Sequence, residues 1–133
     1  VGTLREALSY PDAPTRFNTA AYETALEMSR LAHLSARLDE QNNWAWLLSG
    51  GEQQRLSFAR LFLQRPQYVF LDEATSALDE ENELALYRTM LEFLPDMTLV
   101  SVSHHPQLRA FHQHSLHLEP NGTGGFRAVK SII

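Results

Sequence analysis

Apolar positions recur along the chain in short periodic stretches that alternate between helical and extended spacing. Leu4 and Leu8 stand at i, i+4 behind Thr3, which predicts a short helix over 3–9 with Thr3 as its cap. Tyr10-Pro11-Asp12-Ala13-Pro14 ends it, because proline has no backbone donor and clashes inside a helix. From Asn18 to Arg30 a second helical pattern puts Tyr22, Ala25, Leu26 and Ser29 on one face and Glu23 and Glu27 off it. A shorter apolar-periodic stretch, Leu31 to Leu38, follows. Asp39 to Asn43 is polar and reads as a loop. Trp44 and Trp46 would share one side of an extended segment and, with Leu47 and Leu48, anchor the next stretch to a core; the rival reading is ligand stacking.

The helix from Glu52 to Gln64 carries Leu56, Ala59 and Leu63 on one face and Phe58 with Phe62 as a second pair, an apolar arc wide enough for burial. Arg55 and Arg60 are its exceptions, and Arg65-Pro66 closes it. Tyr68 to Leu71 reads as a fully buried strand, too short for a helix. Glu80, Glu81 and Glu83 gather at the start of another helix, where the dipole favours solvated acids, and Leu84, Tyr87, Leu91 and Leu94 continue it to Pro95. Met97 to Val102 is a second buried strand. A strand at about 114–118, a turn at Asn121 to Gly125 and a strand from Phe126 to Lys130 complete the pattern.

Composition narrows the class. With 133 residues and 44% hydrophobic positions the chain can bury a core. The net charge of −5 argues against nucleic acid as a partner, and the absence of cysteine excludes a disulfide framework. No apolar run reaches the roughly 18 to 20 residues of a spanning helix.

Candidate chemistry sits at element ends. Ser49-Gly50-Gly51 precedes a helix N-terminus, where a hydroxyl and close-approaching backbone N–H groups can meet a phosphate; a plain serine cap with Glu52 in the first turn is the other reading. Asp72 and Glu73 end a strand at the edge where open α/β sheets bind ligands. Adjacent acids there suit a magnesium–phosphate site, or else an acidic cap for the turn that follows. His112, His114 and His117 lack the shared face and neighbouring carboxylates of a metal site.

Taken in order, these segments resemble the ATP-binding-cassette (ABC) ATPase family. Leu48 to Arg55 match its signature motif, Val69 to Glu73 its Walker B strand, Ser76 to Asp79 its D-loop, and His104 its switch histidine. The motifs span 48–104. No G-x-x-x-x-G-K-[ST] occurs, and the glutamine loop and adenine-stacking aromatic are missing too. Val1 to Leu8 resembles the stretch just after the glutamine loop.

The resemblance implies an α/β fold: a partial P-loop NTPase (RecA-like) core with a helical subdomain, its Walker A half missing. Residues 1–47 would be part of the helical subdomain and its connection, and 48–133 the C-terminal part of the ATPase core. It implies ATP and Mg²⁺ as ligands. Ser49, Gly50, Gly51 and Glu52, in the signature, and Asp79, in the D-loop, would belong to the nucleotide interface. Asp72 would hold the metal through water. Glu73 would act as general base, and His104 would contact the γ-phosphate and attacking water. The implied partners are a second nucleotide-binding domain, with ATP sandwiched between the two, and a transmembrane domain. The implied place is the cytoplasmic face of a membrane. Thr3-Leu4-Arg5, the Tyr-Pro pair and Leu48 to Asn82 resemble an exporter-like branch related to peroxisomal fatty-acid and bacterial peptide or vitamin transporters. Alternatives are a soluble ABC ATPase of DNA repair or translation, and a non-catalytic interaction fragment.

Overall fold

A computed structural model describes all 133 residues, which form two compact units, Val1–Val102 and Ser103–Ile133. In the first unit, β1 (Gly2–Thr3) leads into α1 (Leu4–Ser9), whose N-cap Thr3 accepts from the Glu6 amide while the Glu6 carboxylate accepts from Thr3 N–H. This reciprocal box satisfies two donors that a helix start leaves open. Next comes α2 (Thr19–Met28), capped by Asn18, with the expected face of Tyr22, Ala25, Leu26 and Ser29 fully buried. A 3₁₀ segment, Ala32–Arg37, keeps Leu31, Leu34 and Leu38 inside.

The polar stretch after it is not all loop. β2 (Gln41–Asn42) pairs antiparallel with β1, and Arg5 clamps the approach by two bonds to Asp39, at 2.8 and 3.1 Å. The tryptophans also depart from expectation. Residues 44–47 form a short helix, α3 (Trp44–Leu47), and helical geometry sends neighbours two apart in different directions. Trp44 is buried, with its indole N–H on the Gly2 carbonyl at 3.2 Å, whereas Trp46 is 88% exposed and Leu47 is also exposed. Trp44 and Leu48 therefore anchor the segment by themselves.

The hub of this unit is α4 (Gly50–Gln64). Leu56, Phe58, Ala59, Phe62 and Leu63 are buried, so α1, α2 and the later α5 all pack on it. Its polar exceptions are used: Arg60 donates to the Ala7 carbonyl at 2.8 Å and Arg55 to that of Arg30 at 2.9 Å. Arg65 closes the helix in the left-handed region, at φ 50°.

β3 (Tyr68–Asp72) and β4 (Thr98–Val102) pair in parallel, Tyr68 opposite Thr98 through Asp72 opposite Val102, with α5 (Glu80–Phe93) as the crossover. They are not fully buried. Val69 and Leu71 face the core, but Tyr68, Phe70, Val100 and Val102 form an exposed apolar face. Only one side of this two-stranded sheet is covered, so the period of two decides burial. The buried stripe of α5 is likewise rotated from the expected one: Glu83, Leu86, Tyr87, Met90 and Leu94 are inside, with Leu84 and Leu91 half-buried.

In the second unit, a 3₁₀ segment over Pro106–Phe111 precedes the hairpin of β5 (His114–Pro120) and β6 (Phe126–Ile132), longer than expected but in the expected order. Asn121 Oδ1 accepts from both the amide and the hydroxyl of Thr123 and from Gly125 N–H, while Gly122 and Gly124 take positive φ to turn the chain.

Candidate functional site around the start of α4

The sequence places the key glycines where α4 begins. Ser49 is extended and caps the helix, its hydroxyl accepting from the Glu52 amide at 3.1 Å. Glu52 returns the bond, accepting from Ser49 N–H at 3.1 Å, and its other oxygen meets His33 Nε2 at 3.1 Å. The Ser49 amide first, and His33 after it, hold the Glu52 carboxyl below its ordinary value of 4.5. The serine-cap reading is thus realised in the geometry. Ser49 and Gly50 nevertheless stay exposed at a positive helix end, which is where an anion binds.

The turn after β3 lies against those glycines. Ala77 Cβ would stand 3.6 Å from a side chain built on Gly50, and the Ala77 carbonyl oxygen 3.3 Å from one on Gly51. A side chain at 51 would therefore crowd the turn, and glycine lets the two backbones approach. Asp72 ends β3 on its exposed face. Glu73 follows in the left-handed region at φ 50°, a conformation uncommon for a non-glycine residue, with its N–H on the Val102 carbonyl at 2.8 Å. Such outliers persist only where surrounding contacts hold them.

Two further residues of this turn are fixed by α5. Asp79 caps it, accepting from Asn82 N–H at 2.8 Å, and that amide is the leading reason its carboxyl lies below the usual range. Glu83, read from the sequence as a solvated first-turn acid, is 1% exposed and accepts from the hydroxyl of buried Thr75. The correction has a positional cause: three residues past Glu80 the helix has turned its face to the core.

Gln54 lies within the Leu48–Arg55 signature match, but sequence reasoning assigned it no role of its own. Its side-chain oxygen accepts from Ala77 N–H at 2.7 Å, and its amide donates to Ser76 Oγ at 2.9 Å and toward the Glu73 carbonyl at 3.5 Å. No local pattern announces this, since its partners lie 19 to 23 residues away.

The first unit thus brings Ser49, Gly50, Gly51 and Glu52 together with the turn that carries Asp72, Glu73 and Asp79. His104 belongs to the second unit, two residues past the end of β4, beside a local bond from His105 N–H to Ser103 Oγ at 3.0 Å. No three His, Cys, Asp or Glu side chains converge to hold a metal ion by themselves.

The family described as "ABC transporter" matches residues 4–76. An uncharacterized ABC transporter ATP-binding protein of Haemophilus influenzae is 40% identical over 121 residues, covering 91% of this chain and 20% of its own. The lysosomal cobalamin transporter ABCD4 of Mus musculus is 43% identical over 139 residues, covering 97% of this chain and 23% of its own. A solved structure of a bacterial Atm1-family ABC exporter with ATP bound superposes with a TM-score of 0.74 at 27% identity, over 86% of this chain and 21% of that one. The chain spans about a fifth of the length of the curated relatives it matches. The expected fold class, part of a P-loop NTPase α/β domain, agrees with these matches.

Proposed function

The chain belongs to the ABC transporter family, and from that premise we propose that it is the C-terminal part of an ATPase domain that couples ATP hydrolysis to solute transport. The close approach of Ala77, next to Ser76 in the D-loop match, to Gly50 and Gly51 of the signature match is the observation that supports this reading. In this reading residues 1–47 serve as part of the helical subdomain and its connection, and 48–133 as the C-terminal part of the ATPase core.

Ser49, Gly50 and Gly51 would contact the γ-phosphate of ATP bound mainly to a second nucleotide-binding domain. A phosphate loop with no lysine beside it suits such a shared site. Glu52 would shape the loop through the capping box, and Asp79 would face the partner domain. Asp72 would hold Mg²⁺ through water; one exposed carboxylate suits an ion that takes most of its ligands from phosphate and water, and it neutralises charge there. Glu73 would accept a proton from the attacking water, and its fixed backbone supports that task by limiting where the carboxylate can reach. His104 would contact the γ-phosphate. With no Walker A sequence in its 133 residues, this chain by itself is expected to show no ATPase activity.

The complete protein is expected to work at the cytoplasmic face of a membrane, joined to a transmembrane domain. Within this chain no helix is long and apolar enough to cross one. The test is Glu73→Gln in the complete protein. ATP binding should persist while turnover falls by roughly 10² or more for loss of a general base. Near-normal turnover would overturn the assignment.

A further inference from the structure

We propose that Gln54 is a positioning residue for hydrolysis, its side-chain amide fastening the Glu73–Ala77 turn to the helix that begins with the phosphate loop. The inference rests on the hydrolytic reading above and adds to it a residue outside the phosphate-contacting set.

The geometry uses both ends of one planar amide. The oxygen takes Ala77 N–H at 2.7 Å, and the nitrogen gives protons to Ser76 Oγ at 2.9 Å and toward the Glu73 carbonyl at 3.5 Å. No smaller polar side chain presents acceptor and donor across this span. Other bonds of the turn run elsewhere: Ser76 N–H to Glu73 at 3.2 Å and Leu78 N–H to Thr75 at 3.0 Å stay within it, and Glu73 N–H goes to β4. Gln54 ties it to α4.

The tie matters because of what lies at its two ends. Four residues before Gln54, Gly50 opens α4; at the far end Glu73 sits at φ 50°. A general base held in an uncommon backbone conformation needs outside support to keep its carboxylate aimed. With the amide in place, the turn that carries the base is fastened to the helix that the phosphate loop opens, so the base keeps its backbone position when that loop meets a nucleotide on the second domain. Without it, the glycine contacts with Ala77 remain but lose their directional bonds.

The test uses the complete protein and reads kcat, KM and melting temperature. Gln54→Ala should lower kcat about tenfold, the scale of modest misplacement of a reacting group, while KM stays within about twofold. Gln54→Glu keeps an oxygen for Ala77 N–H but loses the amide donor, and should recover part of the rate. Adding Ser76→Ala to Gln54→Ala should cost little more, since both act through one contact. A lowered melting temperature with kcat unchanged would overturn the proposal and leave a structural contact only. Should Gln54→Ala fail to fold, Gln54→Glu decides by the same kcat reading. Glu73→Gln, run alongside, separates the two ideas: an active Glu73→Gln protein sinks the hydrolytic reading itself. An inactive one beside a fully active Gln54→Glu sinks only the role of Gln54.

Discussion

The Ser49–Glu52 loop and the Asp72–Asp79 turn meet at α4 but keep their shapes by different means. The loop is held chiefly from within, by reciprocal bonds between residues three apart, with His33 as its one outside partner through Glu52. The turn adds to its two internal backbone bonds three outside anchors: β4 through Glu73 N–H, α5 through Thr75 and Glu83, and α4 through Gln54. A locally closed loop can survive changes elsewhere in the fold. A turn with three separate anchors can be loosened from any of them, and that makes it the more sensitive half of the site.

The largest stability effect should therefore come from the turn. Thr75→Val removes the hydroxyl that meets the buried Glu83 carboxylate, and should cost about 1–3 kcal/mol in urea unfolding of the complete domain. A loss no greater than that of an exposed substitution would mean the turn does not depend on α5.

The loop should respond to pH through its own carboxylate. The Glu52 carboxyl lies below its ordinary value of 4.5 in the folded chain, chiefly through the Ser49 amide. A depressed carboxyl contributes stability that is fully present above its unfolded value and is lost as pH falls through the folded one. Glu52→Gln can keep the cap geometry without the charge. The stability gap between the wild-type protein and Glu52→Gln should thus shrink as pH drops below about 4. A gap that stays constant down to acid pH would show that the carboxylate charge adds nothing to the loop.

Gly51→Ala should have the smallest effect. Alanine gains up to about 1 kcal/mol in helix propensity, but its Cβ would meet the Ala77 carbonyl at 3.3 Å. The net change in stability should stay under about 1 kcal/mol if the turn can shift by a few tenths of an ångström. A clearly larger loss would show that Ala77 is rigidly fixed, and would sharpen the case for Gln54.

What could be read in the sequence follows the same division. Ser49 with Glu52, Thr3 with Glu6, Asn18, and the buried face from Tyr22 to Ser29 are patterns of near neighbours, so spacing and residue type reveal them. The ABC family was legible through the resemblance of its motifs, and the family match over residues 4–76 agrees with it. One failure is local and the others fall where partners are distant. Trp46 turned outward because residues 44–47 coil rather than extend. Tyr68 and Phe70 are exposed because only one side of their sheet is covered, a fact about layers and not about the strand. Glu83 went inside to meet Thr75, and Gln54 crossed to a turn roughly twenty residues on. Neither pairing has a local signature.

In the proposed arrangement Ser49-Gly50-Gly51 of one domain and Glu73 of a second serve one shared phosphate site. The most direct measurement is the mass of the complete ATPase domain carrying Glu73→Gln, read by size-exclusion chromatography with light scattering in ATP and Mg²⁺. An ATP-dependent dimer should form and should disappear when Ser49→Arg is added, because the long cationic side chain fills the phosphate position. A dimer that forms equally well with Ser49→Arg, or a Glu73→Gln domain that stays monomeric at saturating ATP, would contradict that arrangement.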